Sequence, residues 1–195
     1  KVYLENYEFI NGDILDKPRL DKYIKRSDYV VLLAGLVGDP ITKKYPDESM
    51  LINDIGVKNV VDLCADNKIE KFIFVSTCSN YGLIPDGELA DEEFELNPLS
   101  LYAKSKVGAE EYILSLKDKA GFNPTVLRFS TAFGLSPRMR FDLTISEFTR
   151  DLALGKELLV YDHETWRPYC HVQDFSRLIK IVLDSPIDKT SFQVF

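Results

Sequence analysis

The stretch Ser100–Leu114, SLYAKSKVGAEEYIL, sets a phenol, Tyr102, four residues ahead of an amine, Lys106. It follows Asn97-Pro98 and has helical apolar spacing, so the two side chains are neighbours on one face. An ammonium beside a phenol favours the phenolate and lowers a pKa that is ordinarily about 10. A tyrosine tuned in this way exchanges a proton with a substrate hydroxyl near neutral pH. Thr77, in VSTCSNYG, supplies a hydroxyl that can bind the same substrate oxygen. Taken alone the spacing is ordinary, because an amphipathic helix with a half-buried tyrosine and a solvated lysine has it too.

The elements around the pair carry more weight. Short apolar runs (YEFING, DYVVLLAG, KFIFVST, TVLRFS) alternate with helical stretches, among them NDIGVKNVVDLCADN and the Tyr102 segment. Unbroken Val/Ile/Leu/Phe strands separated by helices predict a parallel sheet covered on both faces, an α/β fold. Ligands of such sheets bind beyond the carboxyl ends of the strands. Those ends are Asp13, Ala34-Gly35, Ser76-Thr77 and Ser130-Thr131. After Gly134 the texture changes to one amphipathic helix at 143–154 among short strands and turns, and a helical period returns at 173–183.

Composition excludes several classes. A net charge of -7 over 195 residues leaves no basic footprint for nucleic acid. No apolar run approaches the ~18 residues of a membrane span, and KVYLENYEFING lacks the form of a signal peptide, so the expected location is the cytoplasm. Cys64, Cys78 and Cys170 have neither a disulfide nor a zinc spacing, and His163 and His171 bring no metal motif. No metal is expected.

In this setting the chain resembles the extended short-chain dehydrogenase/reductase superfamily, in its nucleotide-sugar epimerase and dehydratase branch. The resemblance runs, in order, through Asn11-Gly12-Asp13-Ile14, Leu33-Ala34-Gly35, Asn53-Asp54-Ile55-Gly56-Val57, Val75–Gly82, Ser100–Lys106, Leu127-Arg128-Phe129 with Phe133-Gly134, and Arg167-Pro168-Tyr169-Cys170-His171-Val172. It implies a Rossmann-like doubly wound sheet, incomplete at its N-terminus, with part of a smaller substrate-binding region. Residues 1–134, rejoined by 169–186, would form the NAD(P)-binding part; 135–168 and 187–195 would form the substrate-binding part. The catalytic residues implied are Thr77, Tyr102 and Lys106. NAD, with NADP left open, would meet Asp13, Ile14, Ala34, Gly35, Asn53, Ser76, Tyr102, Lys106 and Phe129. A nucleoside-diphosphate sugar would meet Thr77, Cys78, Thr131, Arg140 and Arg167, and the complete protein would be a homodimer.

The implied activity is NAD(P)-dependent epimerisation by hydride transfer. Reduction, decarboxylation, a non-sugar ketone reductase and a catalytically silent cofactor-binding protein are the alternatives. Two departures shape that expectation. The 4,6-dehydratases of this branch carry an Asp-Glu pair after the active-site threonine, where this chain has Cys78-Ser79, which disfavours dehydration. The substrate-contacting asparagine of the family is here Thr131. The glycine-rich G-x-x-G-x-x-G turn belongs upstream of Asn11, so the chain is expected to be an internal piece of a longer enzyme. Cys78 is read as lining the pocket and His171 as a structural histidine. Arg138 and Arg140, in SPRMR, are read beside Arg167 either as a clamp for a diphosphate or as surface charges, and Glu110-Glu111 and Asp91-Glu92-Glu93 are read as solvated charges.

Overall fold

An unbroken apolar strand has to be covered twice, and the fold does this with helices on both faces of one sheet. The computed structural model describes residues 6–119, 121–161 and 163–195. In chain order the elements are α1 (Lys17–Ile24), β1 (Tyr29–Leu32), α2 (Asp39–Lys44), α3 (Pro46–Ser49), α4 (Val57–Asp66), β2 (Lys71–Thr77), α5 (Leu101–Ser115), β3 (Pro124–Phe129), β4 (Thr131–Phe133), α6 (Thr144–Ala153), β5 (Tyr169–His171), α7 (Val172–Asp184), α8 (Ile187–Thr190) and β6 (Gln193–Val194). A π-helical stretch, Met50–Gly56, joins α3 to α4, and a 3-10 turn, Cys78–Tyr81, follows β2.

The main sheet is parallel in the order β1-β2-β3-β6, with Val31 opposite Ile73 and Ile73 opposite Thr125. Alternate residues serve opposite faces. Phe72, Phe74 and Val126 pack with Val60, Val61 and Ile113 of α4 and α5, while Ile73 and Leu127 pack with Val182 of α7. A second, two-stranded sheet pairs β4 with β5 and brings Thr131 opposite Tyr169. Among the described residues no helix is long and apolar enough to cross a membrane.

Two expectations are corrected. YEFING forms no strand: its described residues join no ladder, and Tyr7 and Phe9 are exposed. A strand exists through its neighbour, and β1 is bonded to β2 alone among the described residues. Residues 187–195 do not lie apart from the main sheet. β6 docks on the free edge of β3, where Phe195 N–H donates to the Val126 carbonyl at 3.0 Å and Arg128 N–H to the Phe195 carbonyl at 2.7 Å.

Candidate active site

Helix α5 starts where Ser100 Oγ accepts the Ala103 N–H at 3.1 Å, a side-chain cap that sets the register of everything after it. Tyr102 and Lys106 follow on one face. Lys106 is not solvated: it is 7% exposed, its Nζ donates to the Val75 carbonyl at 2.7 Å, and it sits 4.5 Å from the centre of the Phe74 ring. Burial pulls its pKa down from 10.5 to about 8, against the opposing charge of Glu110. Lys106 Nζ lies 5.9 Å from the centre of the Tyr102 ring. The Tyr102 phenol is raised above its ordinary value, chiefly by burial and then by Cys78; a hydrogen bond with the Thr77 hydroxyl opposes this, Asp39 adds to it, and Arg140 opposes it. The depressed phenol expected from the Tyr-x-x-x-Lys spacing is therefore corrected. Desolvation of the phenol outweighs a lysine whose proton is directed at a backbone carbonyl.

Thr77, 8% exposed, ends β2, and its Oγ1 accepts the Ser79 N–H at 3.1 Å, which caps the 3-10 turn. This turn depends on Gly82, which has φ +70° and no room for a side chain, since a Cβ would stand 2.1 Å from the Asn97 carbonyl oxygen. Asn97 N–H in turn donates to the Asn80 carbonyl at 3.0 Å, so the residues leading into α5 are tied to those leaving β2.

Beneath these groups lies an arrangement that the sequence reading missed. Glu110, read as solvated, is 1% exposed. Its carboxylate accepts from Ser76 Oγ, from Asn80 Nδ2 at 2.7 Å, and from Arg128 Nη2 at 2.8 Å and Nε at 3.1 Å. Arg128 Nη1 also donates to the Tyr81 hydroxyl at 3.1 Å and to the Glu92 carbonyl at 3.0 Å. The available signal was Arg128 itself, a charge within the apolar run TVLRFS, because a buried charge requires a partner. Ser76, expected against the cofactor, directs its hydroxyl to Glu110 instead.

On the cofactor side, Asn53 lies in the π-helical stretch and is buried. Its Oδ1 accepts the Leu36 N–H at 2.8 Å and its Nδ2 donates to the Leu36 carbonyl at 3.0 Å, a clamp on the loop after β1. Gly35 permits that approach, since a Cβ there would lie 3.0 Å from Asn53 Oδ1. Asp13, Ile14 and Ala34 line one groove of about 550 Å³ beside β1 and α1, of a size that suits a small-molecule ligand. Asp13 Oδ1 accepts the Leu15 N–H at 2.9 Å, shaping the turn into α1. Tyr102 and Lys106 do not line this groove, and the glycine-rich phosphate turn is not among the described residues. The Phe129 ring stacks on Phe175 at 4.0 Å between centres.

On the substrate side, the β4–β5 pairing draws Arg167-Pro168 towards the end of β3, with Thr131 N–H donating to the Pro168 carbonyl at 3.2 Å. The Arg167 guanidinium is exposed, and its charge reaches Cys78, whose thiol burial pushes up. Arg140 pairs with Asp142 through Nε at 3.1 Å, and its charge reaches Tyr102. Arg138 is exposed. His171 caps α7, its Nδ1 accepting the Gln173 N–H at 3.2 Å, and its ring meets Phe133 edge-on at 5.3 Å.

The dTDP-glucose 4,6-dehydratase of Streptomyces niveus is 27% identical over 181 residues, covering 92% of this chain and 53% of that protein. The UDP-glucuronate 4-epimerase 6 of Arabidopsis thaliana is 28% identical over 172 residues, covering 85% of this chain and 37% of that protein. The solved UDP-glucose 4-epimerase of Thermotoga maritima, crystallised with UDP-glucose, superposes with a TM-score of 0.87 at 25% identity, covering 100% of this chain and 64% of the other. The chain thus spans about half the length of the curated relatives it matches. The sheet is Rossmann-like, and NAD is the cofactor of the family. With a family match extending over residues 1–195, the chain belongs to the NAD dependent epimerase/dehydratase family.

Proposed function

We propose that this chain carries the acid–base site of an NAD-dependent enzyme acting on a nucleoside-diphosphate sugar, with epimerisation as its reaction. The observation that supports this most is the convergence of Thr77, Tyr102 and Lys106 at the carboxyl end of β2, the edge at which open parallel sheets bind ligands. Bound NAD supplies a reversible hydride acceptor. Tyr102 takes the proton from the sugar hydroxyl as that carbon is oxidised and returns it when the carbon is reduced. Thr77 holds the same oxygen through its hydroxyl. Lys106 would stabilise the developing phenolate by its charge and would hold the nicotinamide ribose. Arg167 and Arg140 supply positive charge for the diphosphate, and Thr131 a hydroxyl for the sugar.

Epimerisation is preferred to dehydration because Cys78 and Ser79 replace the acid pair that elimination of water requires, and the Cys78 thiol, raised by burial, stays protonated at neutral pH. The test is to incubate the complete protein with NAD and UDP- or dTDP-hexoses and separate the products by chromatography. Interconversion of 4-epimers is expected. Accumulation of a 4-keto-6-deoxy sugar would establish dehydration instead.

A further inference from the structure

Replacing a buried ion pair by apolar residues of similar volume is often neutral or stabilising, so stability alone does not account for Arg128 and Glu110 below the site. Their side chains are 7% and 2% exposed, and Asn80 Oδ1 beside them is buried without a hydrogen-bond partner among the described residues. What the pair joins is distinctive. Through Ser76 and Asn80 it holds the strand end and turn that carry Thr77. Through α5 it stands one helical turn beyond Lys106, as Lys106 stands one turn beyond Tyr102.

We propose that Glu110, anchored by Arg128, is a positioning residue of the Tyr102–Lys106 site, which fixes the Thr77 turn against α5 and lends its negative charge to the Lys106 amine. The inference rests on that pair being the acid–base site. Around Lys106, β2 contributes the Val75 carbonyl and the Phe74 ring, α5 contributes Tyr102 and Glu110, and β3 contributes Arg128 behind Glu110. On the π-helical stretch packed against α5, Asp54 lines a separate groove with Lys104 and Ser105. Glu110 is the charged group that opposes the loss of the Lys106 proton.

The test is an NMR titration of lysine Cε in the complete protein, with the Lys106 signal assigned by its loss in Lys106→Arg. In Glu110→Gln, which keeps the shape and removes the charge, Lys106 should titrate lower than in the wild type by at least about half a pH unit. In Glu110→Asp, which keeps the charge and disturbs the hydrogen bonds more, it should remain near the wild-type value. A role in packing alone predicts the reverse ranking. If Glu110→Gln fails to fold, Glu110→Gln/Arg128→Met, which leaves no charge unpaired, should still titrate lower at Lys106 than the wild type, by less than the single variant would because the Arg128 cation is lost as well. Lys106 titrating as in the wild type in whichever of these folds would overturn the proposal. Turnover measured in parallel separates the two readings. A lowered titration in the variant, with no NAD-dependent turnover in the wild type, supports this inference and rejects the proposed function; an unmoved titration in the variant, with an active wild type, rejects this inference alone.

Discussion

Lys106 of α5 donates to the Val75 carbonyl of β2 at 2.7 Å, spending on the backbone a proton that its spacing alone would assign to Tyr102. The cost of burying that ammonium appears in its pKa, lowered from 10.5 to about 8.

The sign of the resulting pH dependence follows. Between pH 8 and 10.5 the unfolded chain keeps a proton on Lys106 that the folded chain has released, so stability rises with pH across that window. Urea unfolding of the wild type should gain up to about 3 kcal/mol relative to Lys106→Met over this range. Groups that titrate at high pH in both proteins, such as Cys64 and Tyr112, cancel in the difference. A constant difference would show that Lys106 keeps its proton throughout.

Tyr102→Phe removes the proposed proton carrier and little else, since burial of the ring is retained. Turnover of the complete enzyme should fall by ~10²-fold or more with nucleotide-sugar affinity preserved. Steady-state kinetics beside an equilibrium binding measurement separates the two effects.

Arg167→Ala tests recognition of a diphosphate. Charge-assisted bonds cost roughly 1.5 to 3 kcal/mol to lose, so affinity for UDP or dTDP should drop about tenfold to a hundredfold. Affinity for the corresponding nucleoside should not change. Calorimetric titration of both ligands into wild type and variant is the measurement, and equal losses for both would reject the diphosphate contact.

Gly82→Ala should destabilise the fold by at least about 1–3 kcal/mol, because positive φ is costly for alanine and the backbone of Asn97 must also move. The denaturation midpoint reads the loss. Since the turn carries Thr77, turnover should fall beyond what the fraction unfolded explains.

Sequence by itself determined the alternation of strands and helices, because a strand covered on both faces must be an unbroken apolar run and KFIFVST has no other economical use. It also determined that Tyr102 and Lys106 share one side of α5, through the helical period alone. Tertiary structure decided the direction of the pKa shifts. Whether Lys106 tunes a phenol or is itself detuned depends on what lies above it, and that is Phe74 and the Val75 carbonyl, which no spacing within α5 encodes. It likewise decided the fate of Glu110, solvated by its local sequence and buried by the arrival of Arg128 from β3, eighteen residues later. Residues 7–12 and β6 make the same point in opposite directions. Each is short and extended in sequence, but strand formation requires a hydrogen-bonding neighbour, which β3 offers to Gln193–Val194 and none of the described strands offers to YEFING.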